Sequence, residues 1–265
     1  MDNRSASLDL PALLADALAA SVLPVADDGH PDNGHEDNRD QGDVSRIDLP
    51  LIAQIVNDLR GVSCRQGAPV QGDPPDAVTR YLPSLAAAMS STPIAEAVRP
   101  YLNEVSWYQI FDGARVPEGL ASGLMAGQII GGRGLLASDD LYFGLFLLAP
   151  HLTYPLHQHA ALEIYCVLSG EVQIRHGRMK EARRIKAGGH SVTPPHQVHE
   201  LRTEDQACLI AYAWTGDLTG ENWWWEEGQN GQWDRVCWRR QPDSSWKVTH
   251  REPLSEAEVS RAGDR

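Results

Sequence analysis

At 265 residues and 42% hydrophobic content, the chain has material for one large domain or two small ones, with a real core. A net charge of −13 and a pI near 5.1 argue against nucleic acid or an anionic membrane as the main partner. No segment reaches the ~18 apolar residues that a membrane span needs, and Asp9, Pro11 and Asp16 interrupt the early apolar run, so it does not read as a signal peptide. Cys64, Cys166, Cys208 and Cys237 form no CxxC pair, and Cys166 and Cys208 sit in apolar runs. Buried free thiols and a cytoplasmic location are therefore expected.

Residues 1–24 predict an N-terminal helix: Leu10, Leu13, Leu14, Leu18 and Val22 fall on one stripe, Asp9 is placed to cap it, and Pro11 is tolerated in a first turn. Residues 25–44 read as an acidic, disordered linker, with seven acids and one arginine between positions 27 and 43. Residues 45–104 read as helical. "DLPLIAQIVNDLRGV" has a cap, an early Pro and a terminal Gly, and "PSLAAAMSSTPIAEAVRPYLNEV" predicts two further helices broken at Pro93.

From residue 105 to 246 short apolar or alternating runs, separated by Gly, Pro and Asp at roughly ten to fifteen residues, predict a mainly-β sandwich or barrel. Trp223, Trp224 and Trp225 are consecutive and cannot all face one side. They read as a strand edge or cap packing on the barrel, with a dimer contact as the alternative. His151, His176 and His190 sit among turn residues and are expected in solvent. Residues 247–265 read as a charged tail with frayed last turns.

The chemistry concentrates in "HQHAALEIYCVLSG", residues 157–170. Residues two apart on a strand share a face, so His157 and His159 point together. If the strand resumes after the next short step, Glu163 and Tyr165 join them. Two imidazoles and a carboxylate suit a divalent transition metal. A fourth ligand is expected from "TPPHQVHELRT", which offers His196 and His199. The alternate positions Leu162, Ile164, Cys166 and Leu168 are apolar, so the outer face needs a cover: either the helices of 48–104 or a partner subunit in a homodimer.

The spacing His157-x-His159-x3-Glu163-x6-Gly170 matches the first cupin motif, G-x5-H-x-H-x3,4-E-x6-G, except that His151 stands at the leading Gly. The second motif, G-x5-P-x-G-x2-H-x3-N, is partial: Gly189 and Pro195 align, His199 follows as P-x3-H, and the inner Gly and trailing Asn are missing. The chain thus resembles the cupin superfamily, which implies a double-stranded β-helix (jelly-roll) barrel behind an α-helical N-terminal region. "YPLHQHAALEIYCVLSG", with "GLFLLAP" before it and "PPHQVHELRT" after it, further resembles the cupin-type dimethylsulfoniopropionate (DMSP) lyases.

That resemblance implies one divalent metal ion (Fe2+, Zn2+ or Mn2+) on His157, His159, Glu163 and His199. It makes Tyr165 the general base and Tyr154 a second catalytic tyrosine. Trp214 faces the substrate, and His196 lies at the pocket or behind the ligands. The implied substrate carries a carboxylate and a sulfonium, and the implied reaction is β-elimination to dimethyl sulfide and acrylate. The other readings are an Fe(II)-dependent cupin dioxygenase and a non-catalytic small-molecule-binding cupin. Two tyrosines beside the site favour proton abstraction, and residues 48–104 show no basic recognition helix that would support a sensor.

Overall fold

Four short helices come first and the strands are laid over them. The computed structural model describes residues 10–23, 48–69, 72–112, 116–117, 119–218, 221–241 and 246–261. The acidic linker lies outside these residues.

Helix α1 (Leu10–Val22) buries Leu10, Leu14, Leu18 and Val22, one i,i+4 row. Leu13, expected on the same stripe, sits beside that row and is 52% exposed. Helix α2 (Asp48–Gly61) buries Ile52, Ile55, Val56 and Leu59. Helix α3 (Asp76–Ala87) begins before the expected segment and carries Pro83 inside it, because Ala77, Val78, Leu82 and Leu85 form a buried row that outweighs one missing backbone bond. The two helices expected on either side of a break at Pro93 are present, with the break itself at residues 88–92. Pro93 opens α4 (Pro93–Val98), where its fixed φ suits a first turn. Ser21 on α1 accepts the backbone N–H of Ile94 at 2.9 Å, joining the two. The region expected to be wholly helical also contributes a two-residue strand, β1 (Arg65–Gln66).

The remaining strands are β2 (Trp107–Gln109), β3 (Leu124–Ile130), β4 (Leu136–Ala137), β5 (Leu141–Leu148), β6 (Thr153–Gln158), β7 (Ala161–Ser169), β8 (Glu171–His176), β9 (Arg183–Lys186), β10 (His190–Thr193), β11 (His199–Arg202), β12 (Cys208–Gly216), β13 (Asn222–Glu227), β14 (Trp233–Arg240) and β15 (Trp246–Pro253). A four-residue helix, α5 (Leu120–Gly123), leads into β3, and α6 (Glu256–Arg261) follows β15.

The strands make two sheets. One runs β1-β4-β3-β5-β12-β7-β10 with β2 beside β3; the other runs β15-β14-β13-β6-β11-β8-β9. The sheets face each other, and each strand alternates between the space they enclose and an outer side.

Every residue of β7 is buried, which explains why its sequence is apolar on one face and chemical on the other. Leu162, Ile164, Cys166 and Leu168 point outward into a core shared with α1–α4. The helices cover this face, as one of the two expected arrangements requires. Each such aliphatic side chain contributes about 1.5–3 kcal/mol relative to exposure. Thr215 on β12 donates to Asp58 of α2 at 2.7 Å, and the N–H of Ser90 donates to the Leu168 carbonyl at 2.8 Å.

Gly170 ends β7 at φ +76°, and a Cβ there would lie 2.3 Å from the Ala207 carbonyl oxygen. The Gly of the first motif is thus held by both backbone sign and space. Gly170→Ala is expected to destabilise the fold by about 2 kcal/mol or more, read as a shifted urea midpoint. An unchanged midpoint would remove this account.

Residues 247–265, expected as a tail, instead carry most of β15 and all of α6, with 262–265 outside the described residues. The charges that suggested a tail are cross-strand partners: Arg251 bonds Glu226 at 2.6 Å and Asp234 at 3.1 Å. Trp246 anchors the strand by donating its indole N–H to the Ile110 carbonyl. The tryptophan run divides as alternation requires. Trp224 joins the interior between the sheets, while Trp225 packs outward with Leu156, Val198 and Leu254. No cysteine is disulfide-bonded. Burial pushes the Cys166 thiol up to about 12 and the Cys208 thiol up further, so both stay protonated.

Candidate active site

The chain leaves β6 in one sheet and enters β7 in the other within a few residues. His157 therefore comes from one wall of the barrel, His159 from the corner just past it, and Glu163 and Tyr165 from the other wall. The sequence reading placed them on one face of a resumed strand. They share a direction because both inner faces look into the same space. His199 opens β11 directly opposite His157.

One ring nitrogen from each of His157, His159 and His199 lies within 4.8 Å of the other two, and all three rings are buried. Each ring is oriented by a backbone carbonyl that accepts from Nδ1: Pro155 for His157 (2.7 Å), Ala161 for His159 (3.1 Å) and Gln197 for His199 (2.9 Å). That fixes one tautomer and turns every Nε2 inward. The Nε2 atoms of His157 and His199 are buried without a hydrogen-bond partner.

Glu163 completes the cluster, its Oε2 lying 3.1 Å from His159 Nε2 and 3.5 Å from His199 Nε2. Nitrogens that already donate through Nδ1 can face a carboxylate so closely only across a proton or a cation. Burial opposes the Glu163 charge, yet the His159 hydrogen bond and the nearby His159 and His199 rings outweigh it and hold the carboxyl well below its usual range. Three imidazole nitrogens and one carboxylate oxygen, buried and converging, fit a divalent transition metal.

Burial first, then the neighbouring His199 and His159, hold His157 well below the usual imidazole range. The metal-free fold keeps it neutral while the unfolded chain takes up a proton below pH ~6.5. The unfolded state then binds more protons, so stability falls as pH drops through this window, by at most about 1.4 kcal/mol per unit. Glu163 has the same sign, but its contribution begins to fade only below pH ~4.5. Urea melts of chelator-treated protein should show the first loss, and His157→Gln should flatten it. Equal slopes in both would refute the assignment.

Above the cluster lies a cavity of ≈ 610 Å³ whose lining includes His159, Tyr165, Tyr154, Trp214, Tyr212 and Asn222. Burial, then the charge and hydrogen bond of Glu163, hold the Tyr165 hydroxyl well above the phenol range. Burial also raises Tyr154, whose ring stacks on His157 at 3.8 Å and whose hydroxyl oxygen accepts from Asn222 at 3.2 Å. Trp214 lies tilted over His159 at 4.3 Å and donates its indole N–H to Glu163.

His196 is not brought to the cavity. It is exposed in a turn at φ +61°, and its N–H donates to the His159 carbonyl at 2.7 Å. Counted from Gly188 and Pro194, the second cupin motif fits His199 without any change of spacing, and its inner Gly falls on His196. His151, at the leading Gly of the first motif, has φ +57°, and these are the two non-glycine residues at positive φ among those described. The chain keeps the left-handed backbone at both motif glycines and spends a histidine on each, a residue type that tolerates it better than most.

His176, expected in solvent, is half-buried beside His199 in the β8–β11 register and bonds Thr193 at 2.9 Å. Tyr108, Tyr142, Tyr212 and Asn222 also line the cavity and were not singled out from the sequence. For Tyr212 a signal existed, because it precedes Trp214 by two on one strand and shares its face.

Two inward-facing sheets with a buried histidine cluster between them define a cupin barrel. Residues 53–210, more than half of the chain, match the family model for dimethylsulfoniopropionate lyase, and the chain belongs to that family. Dimethylsulfoniopropionate lyase DddQ of Ruegeria pomeroyi is 33% identical over 113 residues, 42% of this chain and 55% of that protein. The DddL protein of Cereibacter sphaeroides is 32% identical over 104 residues, 38% of this chain and 43% of that protein. The chain thus spans about half the length of the curated relatives it matches. The crystal structure of the Ruegeria DddQ superposes with a TM-score of 0.51 at 24% identity, covering 66% of this chain and 93% of that one. No helix among the described residues is long and apolar enough to cross a membrane.

Proposed function

We propose that this protein is a metal-dependent carbon–sulfur lyase that cleaves DMSP to dimethyl sulfide and acrylate. The observation that carries the reading is the inward-turned Nε2 of His157 and His199, buried without partners and clustered with His159, with that of His199 facing Glu163, beneath a cavity walled by tyrosines. Family membership supports the substrate.

In this reading His157, His159, Glu163 and His199 hold one divalent ion. When bound, that ion would draw charge from the substrate carboxylate and offset the Glu163 charge that, after burial, raises Tyr165. Tyr165, as phenolate, takes the proton from the carbon beside the carboxylate. The electron pair of that C–H bond becomes the second bond of acrylate, and the C–S pair leaves with sulfur as neutral dimethyl sulfide. Tyr154 orients the carboxylate, because its oxygen already accepts from Asn222 and its own proton remains to be donated. The ring faces around the cavity attract the sulfonium by about 0.5–2 kcal/mol.

The test is product formation under argon, with protein reconstituted separately with Fe(II), Mn(II) or Zn(II). Metal-dependent, oxygen-independent dimethyl sulfide and acrylate are expected. A loaded protein that releases neither would sink the substrate assignment, and activity appearing only with O₂ would favour the dioxygenase.

A further inference from the structure

Glu163 has two carboxylate oxygens, and the barrel treats them differently. Oε2 faces the Nε2 atoms of His159 and His199, while Oε1 accepts the indole N–H of Trp214. Trp214 sits directly opposite Glu163 in the β12–β7 register, so the two strands fix this pairing through their backbones. The carboxylate is fully buried, and a hydrogen bond on Oε1 stops it from rotating to exchange its oxygens. The same indole ring also lies against His159 and restrains a second member of the cluster.

An N–H pointed at a ligand is not a general property of the tryptophans that line this cavity. Trp238, which lines the same cavity, leaves its Nε1 buried and unpartnered. Resting on the metal-site reading, we propose that Trp214 is a positioning residue: its N–H selects which Glu163 oxygen meets the histidines and thereby sets how tightly the metal is kept. Its edge serves the carboxylate while its ring also lines the cavity, so the two roles are separable.

The experiment uses full-length protein, stripped of metal and loaded with Co(II) in the absence of substrate. Affinity is read against a competing chelator, and the ligand field from the visible absorption bands. Trp214→Phe keeps an aromatic ring and loses the donor. It is expected to weaken Co(II) binding 10–100-fold, the usual effect of removing a ligand's supporting partner, and to shift the bands. Trp238→Phe should match the wild type in both readouts. Trp214→Gln, which restores an N–H without the ring, should recover part of the affinity.

Wild-type affinity and spectrum in Trp214→Phe would overturn the proposal and leave Trp214 facing substrate only. Equal losses in the Phe and Gln variants would assign the effect to packing and overturn it too. A wild-type protein that binds neither Co(II) nor Zn(II) would instead remove the metal-site reading on which it rests.

Discussion

Tyr165→Phe is expected to lower dimethyl sulfide release by roughly 10²–10⁴-fold, the range for loss of a general acid–base group, while the protein keeps its metal and its fold. Tyr165 is 1% exposed, lines the cavity beside His159, and follows Glu163 by two on β7. Its ring packs against Phe146 at 6.1 Å, a contact that phenylalanine preserves. The variant therefore removes one oxygen and little else. That oxygen contacts Glu163, so metal content must be measured alongside activity. Tyr154→Phe makes the comparison informative. Its hydroxyl is held by Asn222, and its loss should raise KM more than it lowers kcat. Full activity in Tyr165→Phe together with collapse in Tyr154→Phe would exchange the two roles. Full activity in both would end the case for a tyrosine base.

Much of this site could be read from the sequence because strand alternation is a strict rule. His157 with His159, Glu163 with Tyr165, and the apolar alternates Leu162, Ile164, Cys166 and Leu168 all follow from a period of two. Alternation does not show that β6 and β7 belong to different sheets. The corner between them is set by backbone pairing with β11 and β12, which lie far along the chain. The contact of Trp214 with Glu163 was hidden for the same reason, since it exists only through cross-strand register. His196 illustrates a different limit. Residue type suggested a ligand or pocket group, whereas its position is decided by backbone sign, and only the motif's glycine hinted at that. The C-terminal strand was missed because its charges resemble those of a solvated tail. Their partners Glu226 and Asp234 become visible only once β13, β14 and β15 are paired.

His199→Ala tests the centre from its most isolated member. His157 and His159 are two residues apart on one segment, whereas His199 arrives from β11 and meets them through the β6–β11 pairing. It is completely buried, oriented by the Gln197 carbonyl, and its Nε2 has no other partner. If that nitrogen ligates, stability should depend on metal in the wild type and not in the variant. A metal at 100 times its Kd stabilises the folded state by about 2.7 kcal/mol, which for a chain of this size raises Tm by roughly 5–10 °C. Melting wild-type protein with and without Zn(II) should show that rise. His199→Ala should show little of it and should release no dimethyl sulfide at any metal concentration tried. The alanine also leaves a cavity that lowers Tm in both conditions, so the diagnostic quantity is the metal-dependent difference rather than the absolute temperature. An undiminished Zn(II) shift in the variant would mean that the ion sits elsewhere. The orphaned nitrogens of His157 and His199 would then need another occupant.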